Sequence, residues 1–155
     1  MTPEKQKLLE LEKTGQYVFH GSGSEVEEFE PRQAHNHVNG EQIPDGEPAV
    51  FAASVVEYAI FMAIINKKNC PKGYRASSGS FGVKDGAAVM RYRATADTLS
   101  QLKDDASGWV YIFDKSLFSL RDEGGVEYIS TKNVVPLEKV EVKKTDLPSR
   151  IGVLE

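Results

Sequence analysis

Three short stretches of the chain carry side chains suited to chemistry. The first is Tyr17-Val18-Phe19-His20-Gly21-Ser22, a β-prone seed followed at once by an imidazole, a bare backbone position and a hydroxyl. Histidine and serine offer hydrogen bonds to sugar hydroxyls, and a glycine lets a ligand come close to the main chain. The second is Val126-Glu127-Tyr128-Ile129-Ser130. Its carboxylate falls on the strand face opposite Val126 and Tyr128, and a charge in a half-buried strand is costly without a partner. The third is Val50-Phe51-Ala52-Ala53-Ser54, which runs into an apolar helix bearing Tyr58 and Phe61. Small residues there permit close packing beneath a pocket, and the rings offer flat faces to a planar ligand. Taken one at a time, each stretch also reads as plain structure: a turn, a solvated strand residue, a packed helix.

Other candidates are weaker. Arg32, in Glu30-Pro31-Arg32, has the chemistry to meet a pyrophosphate, though a surface arginine looks the same. His35-Asn36-His37 places two histidines in a polar loop with no cysteine or acidic cluster beside them, which is too little for a closed metal site, and no metal is expected. Cys70 is the only cysteine, so an internal disulfide is impossible and a reducing compartment fits. Its neighbours Asn69 and Pro71 put it in a loop, where a lone thiol is more often incidental than nucleophilic.

The elements that must position these residues follow from the pattern. Thr2-Pro3 starts an amphipathic helix that ends near Gly15. A strand over 17–19 then delivers His20 at its end, with residues 21–24 as a turn. Residues 31–48 form a long polar connection, of the kind that serves as a lid or stays disordered. A strand over 49–53 leads into a helix over 55–66, whose start reads as a capping box from Ser54 to Glu57. That helix is apolar on nearly every face, as a buried core helix is. A hairpin turning at Lys84-Asp85-Gly86, a helical turn over 96–102 and strands over 109–113, 118–120, 126–131 and 140–142 complete the chain, with a turn at 122–125. Hairpin-length connections dominate the second half, so the expected class is α+β with a mainly antiparallel sheet, an N-terminal helix and one buried helix.

In order and local structure, the three stretches resemble the ADP-ribosyltransferase superfamily, especially its His-Tyr-Glu type, as in poly(ADP-ribose) polymerases. There a first strand carries His-Gly-Ser or His-Gly-Thr, a second reads aromatic-Phe-Ala into a helix, and a late strand carries Glu-Tyr. The small rifampin-modifying transferases open similarly. The resemblance covers roughly residues 17–142 and implies a split, mainly antiparallel ADP-ribosyltransferase-like core that binds NAD as substrate. It implies that His20 and Ser22 reach the adenosine ribose and that Gly21 holds the nicotinamide carboxamide through its backbone. It further implies that Phe61 stacks on the nicotinamide ring, and that Glu127 is catalytic and binds the 2′-hydroxyl of the nicotinamide ribose. Two positions depart from the pattern. The middle tyrosine of the family falls on Val50, so Phe51, Tyr58 or another aromatic would have to substitute. Arginine-modifying toxins use Glu-x-Glu, and here the first of those positions is Gly125.

Length and composition bound the rest. The 155 residues suit one domain spanning the chain, and 40% hydrophobic with 27% charged residues is ordinary globular composition. The formal net charge is -4, so charge gives no support for a nucleic-acid partner. The N-terminus lacks an apolar signal core and the longest apolar stretch is too short to span a bilayer, so a cytoplasmic protein without a membrane partner is expected. The leading expectation is NAD-dependent ADP-ribosyl transfer, or NAD glycohydrolysis, to an acceptor that is a protein, a small molecule or water. The alternatives are a non-catalytic module that binds a nucleotide or ADP-ribose, and an RNA 2′-phosphotransferase-like enzyme. The acidic balance and Glu127 speak against the last.

Overall fold

The structure, a computed structural model, describes residues 1–44, 46–121 and 124–154, without the side chains of residues 36–38. Its organising strand is β7 (Ser107–Asp114), whose Val110 to Phe113 are buried on both faces. By chain order the elements before it are α1 (Pro3–Lys13), β1 (Tyr17–Ser22), β2 (His35–Val38), β3 (Glu41–Pro44), β4 (Val50–Ala53), α2 (Val56–Ile64), β5 (Ser77–Lys84), β6 (Ala87–Thr95) and α3 (Ala96–Gln101). After it come β8 (Ser119–Leu120), β9 (Glu127–Ser130), β10 (Glu138–Lys143) and β11 (Gly152–Leu154). The main sheet runs β10-β7-β1-β4-β9-β8, all antiparallel, and a smaller sheet runs β11-β6-β5. In that second sheet β11 pairs parallel with β6, so the class is α+β with a mainly antiparallel sheet.

Alternation along the strands divides the core. Phe19, Val110, Ile112, Val140 and Val142 face α2, where they meet Ile60, Phe61 and Ile64 and, from the smaller sheet, Tyr92 and Ala94. Val18, Val50, Ala52, Tyr111, Phe113 and Tyr128 face the other way, under Phe29 and Val134. The connection after β1 is clamped onto that second face. Tyr111 Oη donates to Ser24 O (2.9 Å) and accepts from Val26 N (2.6 Å), and Phe29 exchanges backbone hydrogen bonds with Val134. No helix among the described residues is long and apolar enough to cross a membrane.

Several expectations need correction. Gly21 and Ser22 are not a turn; they continue β1 opposite Val110 and Trp109, and the chain bends only after them. Residues 31–48 hold a hairpin, β2 with β3, turned by Asn39 and Gly40 at φ 53° and 81°. The capping box is absent. Ser54 Oγ donates instead to Gly125 O (2.5 Å), and the start of α2 is capped from another helix, by Glu12 Oε2 accepting from Val56 N at 2.6 Å. Cys70 does lie in a connection, as expected, but it is buried there; burial pushes its thiol up, away from thiolate reactivity. The turn expected over 122–125 falls partly on residues outside those described.

Candidate functional site

The site begins where the main sheet comes apart. β1 and β4 meet at Phe19↔Ala53, while β1 continues its ladder with β7 as far as Ser22 and β4 continues with β9 as far as Val50. Beyond that one pair the two central strands diverge, and a side chain spans the gap. His20 Nδ1 lies 2.6 Å from Phe51 O. A carbonyl only accepts, so Nδ1 carries the proton and the other ring nitrogen, Nε2, is an acceptor in the neutral ring. Burial holds the His20 pKa below its ordinary value, against the opposing pull of the Phe51 carbonyl, so the ring is neutral at pH 7. Phe29 packs edge-on against the imidazole at 4.9 Å and so fixes its plane.

Two hollows share His20 and Phe51. The smaller, about 100 Å³, is bounded by these two with Gly21, Tyr58, Met62 and Glu127. The larger, about 290 Å³, adds Ser22, Phe29, Arg32 and Val50, with Glu28 and Glu30. Glu127 comes from β9 and points to the α2 side, as strand parity from the buried Tyr128 requires. Its carboxylate pairs with Arg121, Nη1 to Oε2 being 3.8 Å, and the Arg121 backbone N–H donates to Glu127 O at 2.8 Å. The same guanidinium lies over the Phe51 ring, 5.2 Å from its centroid. Burial, and after it the Glu127 charge, pushes the Tyr58 hydroxyl pKa up, so Tyr58 stays protonated beside that carboxylate.

No family model, curated protein or solved structure matches this chain.

Seven of the eight site residues read from the sequence border the two hollows: His20, Gly21, Ser22, Arg32, Phe51, Tyr58 and Glu127. Phe61 does not. It is fully buried in the core, its ring 5.2 Å from that of Tyr92, and offers no face to a ligand. Gly21 has a structural reason of its own: a Cβ there would lie 1.8 Å from Ala59 O, so its bareness admits the α2 backbone. Sequence reasoning overlooked Phe29 and Arg121. Phe29 is the one aromatic in the acidic run from Glu25 to Glu30, which is the signal that could have found it. Arg121 carries no such signal, because its neighbours in sequence do not announce a partner on β9. Among the described residues no group of three or more His, Cys, Asp or Glu is placed to hold a metal.

Proposed function

We infer that the chain cleaves the nicotinamide–ribose bond of NAD, as an ADP-ribosyltransferase or NAD glycohydrolase built on an ADP-ribosyltransferase-like fold. The observation that carries this reading is that His20 and Glu127, more than a hundred positions apart, border one hollow with two aromatic rings, Phe51 and Tyr58. The adjoining larger hollow, with Arg32 and Ser22, gives room for the rest of a dinucleotide.

The roles follow from the atoms present. His20 Nε2 accepts a hydrogen bond from a ribose hydroxyl, which the neutral ring allows and an imidazolium would not. Phe51 or Tyr58 offers its ring to the pyridine, in place of the family's tyrosine, whose position is the buried Val50. Nicotinamide leaves as a neutral molecule from a cationic ground state, taking the electron pair of the bond, so no general acid is needed. The Glu127 carboxylate stabilises the positive charge that develops on the ribosyl carbon. The new bond then forms from that carbon to an oxygen or nitrogen of the acceptor, or to water, and the proton that this nucleophile loses passes to solvent. Arg121 holds the carboxylate in place at 3.8 Å.

The test is nicotinamide release from NAD by purified protein, alone and with a cell lysate as acceptor source. Glu127→Gln is expected to keep NAD affinity within a few-fold while release falls by two orders of magnitude or more, about the loss seen when one group that stabilises transition-state charge is removed. Wild-type protein that binds NAD or ADP-ribose tightly without turnover would make it a binding module instead, a reading that the valine at position 50 favours. Absence of both binding and turnover would defeat both.

A further inference from the structure

The smaller sheet ends in an open edge. Among the described residues β5 pairs with β6 and with no other strand. Its parity is set by the two-residue turn Asp85-Gly86, at φ 53° and 80°, which makes Lys84 and Ala87 a hydrogen-bonded pair. The same parity holds at the far end, where Thr95 N donates to Ala76 O at 3.0 Å. The even positions of β5 therefore bond to β6. The backbone N–H and C=O groups of Ser77, Gly79, Phe81 and Val83 point away from it and have no backbone partner among the described residues.

Native sheets blunt such edges with charge, proline or brevity. The other edges of these two sheets follow that rule. β8 and β11 have two and three residues, and β10 carries Glu138, Lys139, Glu141 and Lys143. β5 has eight residues, no proline and a single charge, Lys84, at its end.

The side chains of this edge complement themselves. An antiparallel pairing about a two-fold axis at Ser80 sets Phe81 opposite Gly79 of a second copy and Val83 opposite its Ser77, and the reverse. All four outward positions then find a partner. Each larger apolar side chain meets a small one, and a ring stands beside each small one. Tyr58 lies over Gly79, where a Cβ would be 2.6 Å from it, and Tyr74 Oη is 2.8 Å from Ser77 Oγ. Val83, 58% exposed in the single chain, gains cover there.

Charge agrees with the same register. Lys84 falls opposite Ala76, and one step further Asp85 comes opposite Arg75, once at each end of the pair. Both residues are exposed, and among the described residues neither has an ion pair within its own chain. An axis at Phe81 sets Asp85 against Ser77, and one at Gly79 sets Arg75 against Val83, so either shift loses the unlike charges.

We propose that two copies of this chain associate through β5, edge to edge and antiparallel about Ser80, with Arg75 of each beside Asp85 of the other. The reasoning is independent of NAD.

The experiment is sedimentation velocity of the full chain from about 1 µM to about 1 mM, where a small interface dissociates, with amide hydrogen exchange at both ends of that range. A monomer–dimer equilibrium is expected, with the amides of Ser77, Gly79, Phe81 and Val83 slowed in the dimer. Val83→Pro removes one outward donor and no bond to β6, and should weaken the dimer about tenfold or more. Arg75→Glu and Asp85→Lys, each alone, set like charges together and should each weaken it about tenfold. An equimolar mixture of those two variants restores both unlike pairs and should recover the affinity of the wild type, which a defect in folding would not. A chain that stays monomeric to about 1 mM overturns the proposal and leaves the edge to a foreign extended segment. A dimer of undiminished affinity in all three variants, or a mixture no tighter than its components, overturns it equally.

Discussion

His20 shows how one residue is recruited by a defect in a sheet. Where β1 and β4 part, Phe51 O has no strand opposite it in β1, and the imidazole N–H takes the place of the missing ladder bond. The cost of that arrangement is a half-buried base that resists protonation, which makes stability depend on pH. The folded pKa lies below the ordinary value of 6.5, while the unfolded chain titrates near about 6.5. Between those values the unfolded chain binds more protons, so stability is full above about pH 6.5, falls as pH drops towards the folded pKa, and levels off below it. Thermal melts between pH 7.5 and 5 should show Tm of the wild type falling more steeply than that of His20→Gln, whose side-chain amide can still donate to Phe51 O. Parallel profiles would mean that His20 is not the group responsible. The same protonation removes the Nε2 acceptor, so any NAD affinity should fall over the same acidic range. The type and rank of His20 were legible in Tyr17-Val18-Phe19-His20-Gly21-Ser22; its carbonyl partner was not, because Phe51 is set beside it only by the sheet.

At the scale of elements, the fit of α2 onto the sheet decides whether the cleft exists. Two bare positions on adjacent strands receive the helix: a Cβ on Gly21 would lie 1.8 Å from Ala59 O, and one on Gly108 would lie 2.1 Å from Ala63 O. Backbone cannot yield as a flexible side chain can, so Gly21→Ala must push the helix off the sheet. A loss of about 3 kcal/mol and a fall in Tm on the order of 10 °C are expected, at the upper end of overpacking costs. A variant melting within about 2 °C of the wild type would show that α2 shifts freely. The helix itself was readable from its apolar run, and β4 from Val50-Phe51-Ala52-Ala53. What could not be read was which neighbour caps the helix. Ser54-x-x-Glu57 satisfies the local rule, yet Glu12, forty-four positions from Val56, wins the N-terminus because α1 docks beside it. Phe61 was misplaced for a related reason: an all-apolar helix gives no period from which to tell the ligand side from the core side.

At the scale of the whole molecule, two sheets and three helices among the described residues surround the split, and the β2–β3 hairpin stands apart from them. Among the described residues its two strands pair only with each other, and the described side chains of residues 35–44 are exposed. Its base is closed independently of it, by the Arg32↔Ala49 bridge and by Gln33 Nε2 donating to Gly46 O at 3.0 Å. The turn signal Asn39-Gly40 was present in the sequence but stood in a polar stretch without alternating apolar flanks, so the composition of a loop obscured it. Because the described side chains there are exposed and the ends are already held together, replacing residues 35–44 with two glycines should leave the fold intact. Loop-closure entropy changes only slowly with length, so the shortening stabilises by at most about 1 kcal/mol. Tm is therefore expected to stay within about 4 °C, with an unchanged circular dichroism envelope apart from the two deleted strands. Arg32, at the foot of the hairpin and on the wall of the larger hollow, would remain in place, so NAD affinity separates two roles for the segment. Affinity that survives the excision makes the hairpin dispensable to the cleft, whereas affinity lost at constant Tm makes it a cover over the larger hollow. A collapse of Tm would contradict the premise itself, that the hairpin hangs from a base the rest of the molecule holds closed.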